Sequence, residues 1–192
     1  MASIAHLAAG AACGAVVARA TGTRTVPTVA AFSALALAPD LDLLAMPLRP
    51  KGTPIEHRVM THSLLFSAVV GGLIGARFGT SGRKLLTAVL SALALASHGI
   101  LDAMTHIGHA PRILWPFTWE RIALPWQPIP GAESFREYFA WGAVDIFARE
   151  AILCAPFLLV AVAVLAWPEG EGRFRWRPRR LARAPRRAQS AG

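Results

Sequence analysis

An all-α integral membrane protein, a helical bundle of about four or five apolar helices, is what this chain predicts. Three observations carry that expectation. Hydrophobic residues make up 54% of the chain and charged residues only 16%, and with a mean hydropathy of +0.44 it is far more apolar than an ordinary soluble domain. Apolar runs fall at about 4–20, 26–46, 63–79, 85–101 and 151–167, each near the lower bound of roughly 17–25 residues for a spanning helix. Within them Gly and Ala are abundant (Ala8-Ala9-Gly10-Ala11-Ala12, Gly71-Gly72, Gly75-Ala76), as expected where membrane helices approach closely. A soluble bundle would need helices with a polar face. The runs at 85–96 and 151–167 offer none.

Each element has its own local signature. Residues 1–18 lack Lys and Arg, whereas a signal peptide begins with positive charge. The first run is therefore expected to stay as a helix, although Val17-Ala18-Arg19-Ala20 resembles a cleavage site. His6 opens this run, and Pro39-Asp40-Leu41-Asp42 closes the second. Glu56-His57-Arg58-Val59-Met60-Thr61-His62-Ser63 precedes the third, His98 and Asp102 close the fourth, and Glu150 stands just before the fifth. Residues 1–167 read as one membrane-embedded domain. Within it, 103–150 is an extramembrane or interfacial connection rich in aromatics: Trp115, Phe117, Trp119, Trp126, Phe135, Tyr138, Phe139 and Trp141. Such rings suit the headgroup level of a membrane, as a lid or a shallow interfacial helix.

Residues 168–192 read as a disordered tail that holds eight of the 20 basic residues, from Arg173 to Arg187. The positive-inside rule makes this end cytoplasmic. Counting back through five spans then brings His6, Asp40, Asp42, His57, His62, His98, Asp102 and Glu150 to one membrane face, opposite the tail. That shared face survives inversion of the topology; the compartment does not. The net charge of +9 admits nucleic acid or anionic lipid as a partner. No recognition fold accompanies the tail, so it is expected to fix topology and lie on lipid headgroups.

The chemistry of the shared face points to a metal. His98 and Asp102 are four apart and project from one helix face. With His6, Asp40, His57, His62 and Glu150 they form a mixed N/O donor set that suits a divalent ion, zinc first and manganese as the alternative, in one or two copies. Two cysteines, Cys13 and Cys154, are too few for a thiolate site. Each residue also has a structural reading: His98 with Asp102 as a buried hydrogen-bonded pair, Asp40 and Asp42 as turn or capping residues. Asp42 is open between metal ligand, partner of an imidazole and general base. Arg58 is a candidate clamp for a phosphate or carboxylate. His106 and His109 are weaker ligand candidates. An ion or proton pathway would put ionisable groups deep in the spans, which are nearly free of them.

Taken in order, Ala5-His6-Leu7, Pro39-Asp40-Leu41-Asp42, His57-Arg58 with Thr61-His62-Ser63, Ser97-His98 with Leu101-Asp102-Ala103, Thr105 and Gly108, and Trp115-Pro116-Phe117 resemble the YdjM-type, LexA-regulated, membrane-bound metal-dependent hydrolases over about residues 1–120. More distantly, the order His, Asp, His, His-x-x-x-Asp is similar to the zinc-dependent phospholipase C and P1 nuclease group. That group opens on a Trp ligand where this chain has Met1, and its later ligands differ in spacing. The resemblance implies a metal-dependent hydrolase, with phosphoesters, lipid-like ones included, as the substrate class. The competing expectation is a non-enzymatic membrane protein with a structural or sensory metal.

Overall fold

A computed structural model describes residues 3–48, 51–106, 109–129 and 143–168, and all of its regular elements are helical. They are α1 (Ser3–Thr21), α2 (Thr25–Leu37), a 3₁₀ stretch (Ala38–Leu48), a 3₁₀ turn (Met60–His62), α3 (Leu64–Phe78), α4 (Lys84–Ala103) and α5 (Ala143–Ala166). Four stretches are long and apolar enough to cross a membrane: Ile4–Thr21, Thr25–Leu44, Lys84–Ala103 and Phe147–Ala166. α3 is apolar but has 15 residues, a rise of only about 22 Å against a hydrocarbon core of about 30 Å.

Two boundaries differ from expectation, and a third agrees, each for a local reason. The second run does not stay α-helical to its end. Pro39 has no N–H to donate, and the chain tightens into 3₁₀ geometry from Ala38, whose N–H bonds to Leu35 O. Asp40 and Asp42 therefore ride on the tighter coil. The third run is bounded by Ser63, whose hydroxyl caps α3 by accepting from Phe66 N at 3.1 Å. α5 begins at Ala143, so Glu150 lies two turns inside a helix and not ahead of it. The basic tail and the aromatics Phe135, Tyr138, Phe139 and Trp141 lie outside the described residues.

Small residues bring the helices together. α1 packs on α2, α4 and α5, while α4 packs on α3 and α2. A Cβ added at Gly10 or Gly14 would overlap α2 at Phe32 and Val29, and one at Gly71 or Gly75 would overlap the backbone of Ala92 and Ala88. With no hydrophobic force between helices in lipid, such close approach supplies the contact energy. Successive helices alternate in direction, so the start of α1, the end of α2, the start of α3 and the end of α4 share one end of the bundle. The connection 109–129 covers that end. It donates Leu124 N to Ala103 O (2.8 Å) and Ile129 N to Met104 O (3.3 Å), carbonyls that α4 leaves open at its C-terminus. Phe117 and Trp126 remain largely exposed on this connection.

Candidate metal centre

The polar residues of this end are buried where apolar helices meet. His6, His62, His98 and Asp102 are each no more than 3% exposed, and for a charged or imidazole side chain that is costly without partners. Even so, His6 Nδ1 and Nε2, His62 Nε2, His98 Nε2 and Asp102 Oδ1 lack a hydrogen-bond partner, and Asp102 Oδ2 meets the guanidinium of Arg58. They point at one another instead. His98 Nε2 lies 3.2 Å and His62 Nε2 3.5 Å from Asp40 Oδ1. His62 Nε2 is 3.7 Å from Asp102 Oδ2, and His6 Nε2 is 3.7 Å from Asp102 Oδ1. The His6 and His98 rings stack with centroids 3.8 Å apart.

Those separations suit donors around a shared ion. Bonds of about 2.0–2.2 Å from nitrogen and oxygen to zinc place neighbouring donors of a tetrahedron roughly 3.3–3.5 Å apart. Two groups of three among these residues can hold an ion, His6-His98-Asp102 and Asp40-His62-His98, with all ligand atoms of a group within 4.8 Å of one another. Both use His98. Its Nδ1 donates to Ala36 O at 2.8 Å, so Nε2 is the atom left to ligate, and the two groups merge into one five-residue cluster. A third group, Asp42-His57-His62, also meets the distance test. Its bonds are of another kind: His57 Nδ1 donates to Asp42 Oδ1 at 2.7 Å, a hydrogen-bond length and shorter than the spacing of two ligands on one tetrahedral ion.

Hydrogen bonds behind the cluster aim its imidazoles. Thr61 Oγ1 donates to Asp42 Oδ2 at 2.7 Å, so towards His62 Nδ1, 3.0 Å away, it can only accept. The proton of His62 is thereby fixed on Nδ1 and the Nε2 lone pair faces Asp40 and Asp102, the arrangement by which outer partners orient metal-ligating histidines. Burial holds the His62 imidazole below its ordinary pKa, against the pull of Asp40, which favours the neutral ring a metal needs.

Arg58 completes the wall. Its backbone has φ of 64°, the one positive φ outside glycine among the described residues, in a region that costs such a residue roughly 1–2 kcal/mol. The strain is held by Arg112 N donating to Arg58 O at 2.8 Å. The guanidinium is turned inward, with Nε 3.0 Å from Asp102 Oδ2 and Nη1 donating to His109 O at 2.7 Å. Two of its donor atoms are thus engaged within the protein, and the expected clamp is at least partly a tether for Asp102 and for the 109–129 connection.

The structure places the remaining candidates apart. Glu150 is fully buried on α5 beside the Ile4 backbone, with both carboxylate oxygens lacking a hydrogen-bond partner, and belongs to none of the three groups. His106 and His109 are exposed and also lie outside them. Sequence reasoning gave no role to Gly99 or Thr61. A Cβ at Gly99 would come closer to His62 O than the 3.0 Å that real Cβ atoms keep, so this glycine is what lets the Met60–His62 turn lie on α4. Its position beside His98, within a helix that should prefer Ala, was the available signal. Asp40 and His57, with side chains 17% and 23% exposed, are the cluster's more open members.

The chain is 36% identical over 114 residues to the inner membrane protein YbcI of Escherichia coli K12, a match covering 56% of this chain and 65% of that relative. No solved structure matches. The model of the YdjM inner membrane protein family matches residues 1–171, which takes in all five helices and the whole His/Asp cluster. This chain therefore belongs to the YdjM inner membrane protein family.

Proposed function

We propose that this chain is a membrane-bound, divalent-metal-dependent hydrolase of phosphoester bonds. The observation that carries the reading is the convergence of buried imidazole nitrogens of His6, His62 and His98 without hydrogen-bond partners on the carboxylates of Asp40 and Asp102. Three imidazoles and two carboxylates suit zinc or manganese better than magnesium or calcium, which favour all-oxygen sites. His6, Asp40, His62, His98 and Asp102 hold one or two ions. Bound there, a divalent ion lowers the pKa of water from near 16 to about 7 and makes hydroxide available at neutral pH.

The protein's own residues do the rest. Ala36 O and Thr61 Oγ1 set the two key imidazoles with Nε2 inward. Asp42 orients His57, whose Nε2 is then left to accept or return a proton at the more open side of the cluster. Arg58 fixes Asp102 and directs its remaining N–H donors at an anionic substrate. Phosphoesters as the substrate class rest on the remaining N–H donors of Arg58 and on the likeness of ligand order noted above. The face bearing the site is the one opposite the basic tail.

The test is metal content by elemental analysis of detergent-purified protein, wild type beside His98→Ala and Asp102→Ala, followed by hydrolysis of bis(4-nitrophenyl) phosphate on the same samples. Stoichiometric metal and turnover, both lost in the variants, are expected. Tight metal without turnover would assign the site a structural or sensory role. A wild type that takes up neither zinc nor manganese would remove the basis of the reading.

A further inference from the structure

Of the helices, only α1 packs on α5 among the described residues. Their seam is small and apolar, with Ala5, Ala8 and Ala9 of α1 buried in one cluster with Cys154 of α5. Glu150 lies one turn before Cys154. It is fully buried, and neither of its carboxylate oxygens has a hydrogen-bond partner. A carboxylate in such a place is costly unless something offsets its charge. What faces it is the backbone of Ile4, in the first turn of α1.

That turn offers charge of the right sign. α1 begins at Ser3 and carries no acidic residue in its first turn. The N–H groups of a first turn have no carbonyl partner within their helix, and together they form the positive pole of its dipole. A carboxylate brought in by another helix serves α1 where its own first turn supplies none.

His6 stands in the same turn. Its Nε2 is 3.7 Å from Asp102 Oδ1, and its ring stacks on that of His98. The other two imidazoles of the cluster are aimed from behind, His98 by Ala36 O and His62 by Thr61 Oγ1. His6 has no such support, because neither of its ring nitrogens is hydrogen-bonded. Its place is set by the backbone that carries it, and so by whatever holds the start of α1.

We infer that Glu150 is a positioning residue for the metal centre: its carboxylate, supplied by α5, caps the open N-terminus of α1 and thereby holds His6 against His98 and Asp102. The cap itself is independent of any ion; its consequence for the centre rests on the metal-dependent reading.

The test compares the full chain in detergent, wild type beside Glu150→Leu, Glu150→Gln and Glu150→Leu combined with Ser3→Asp. Two readouts are taken: hydrogen–deuterium exchange of the amides at the start of α1, and zinc competition against a chromophoric chelator. The N–H groups of Leu7 and Ala8 bond to the carbonyls of Ser3 and Ile4 by helix geometry, so their exchange reports whether the first turn is held. Glu150→Leu should speed that exchange several-fold, leave the amides of α3 unchanged and lower zinc affinity about 10–100-fold. Glu150→Gln fills the same space and keeps an oxygen without the charge, and should fall between. Ser3→Asp returns a carboxylate to the first turn by another route and should recover most of both losses. First-turn exchange equal to wild type in Glu150→Leu overturns the cap, and in Glu150→Gln it does so should the leucine variant not fold. Zinc lost with exchange unchanged, and not recovered by Ser3→Asp, overturns it as well and makes Glu150 a ligand. Faster exchange at full zinc affinity overturns the link to His6. A wild type that binds no zinc would refute the metal reading alone, since the exchange comparison needs no ion.

Discussion

Replacing Gly99 by alanine should weaken metal binding in a helix that the substitution locally favours. Gly99 sits inside α4 next to His98, and Ala is preferred there over Gly by about 1 kcal/mol. The added Cβ would nonetheless overlap His62 O, a backbone atom that cannot swing aside, and would lie 3.4 Å from His62 C and from Ile113 Cγ2. Overpacking of this kind costs roughly 1–3 kcal/mol, and its relief moves the Met60–His62 turn away from α4 by on the order of 1 Å. His62 Nε2 starts 3.5 Å from Asp40 and 3.7 Å from Asp102, so the shift opens the ligand cluster directly. Disturbing the placement of a metal-ligating imidazole is worth about 10–100-fold in metal affinity, or about 1.4–2.7 kcal/mol. The assay is zinc competition against a chromophoric chelator on detergent-purified protein, with circular dichroism recorded beside it. Wild-type zinc affinity in a Gly99→Ala variant of normal helicity would show that the glycine does not set the position of His62.

Other perturbations separate the roles of individual groups. Thr61→Val removes the hydroxyl that fixes the His62 tautomer and should lower metal affinity about 10–100-fold, while Thr61→Ser restores it; the same competition assay decides, and equal loss in both variants would point to packing. Arg58→Met leaves Asp102 without its nearest cation, a loss worth about 3–5 kcal/mol when a buried pair is broken. The thermal midpoint of this variant should fall without metal and recover on adding zinc, whose charge replaces the guanidinium; no recovery would detach Arg58 from the metal site. Gly75→Val should separate α3 from α4, because the added carbon meets the Ala88 backbone. Loss of thermal stability with reduced metal uptake is expected, and unchanged melting would show that this contact does not hold α3.

The helices, and the face on which the polar residues gather, are legible in the amino-acid order alone. Apolar runs of near-spanning length are a local property, and with helices that alternate in direction, residues at the end of one run and the start of the next must share a side. That is why His6, His98 and Asp102 could be grouped without knowing a single contact. The i, i+4 spacing of His98 and Asp102 likewise needs only helix geometry. Pro39 stood in view as the reason the second helix tightens before Asp40, although the extent of the 3₁₀ stretch was not legible from it.

Which of the gathered residues meet depends on packing in three dimensions. Ligation depends on the direction of individual side-chain atoms across elements far apart in the chain, and spacing along the sequence does not encode it. His98 turns Nε2 inward because Ala36 O, 62 positions away, takes its Nδ1 proton. Asp42 differs from Asp40 by two positions, yet it bonds His57 and Thr61 while Asp40 faces His62 and His98. Gly99 matters because another segment's carbonyl lies where its side chain would be. A cleft between α2 and α3 is likewise a tertiary feature: both helices pack on α4 while their backbones stay apart.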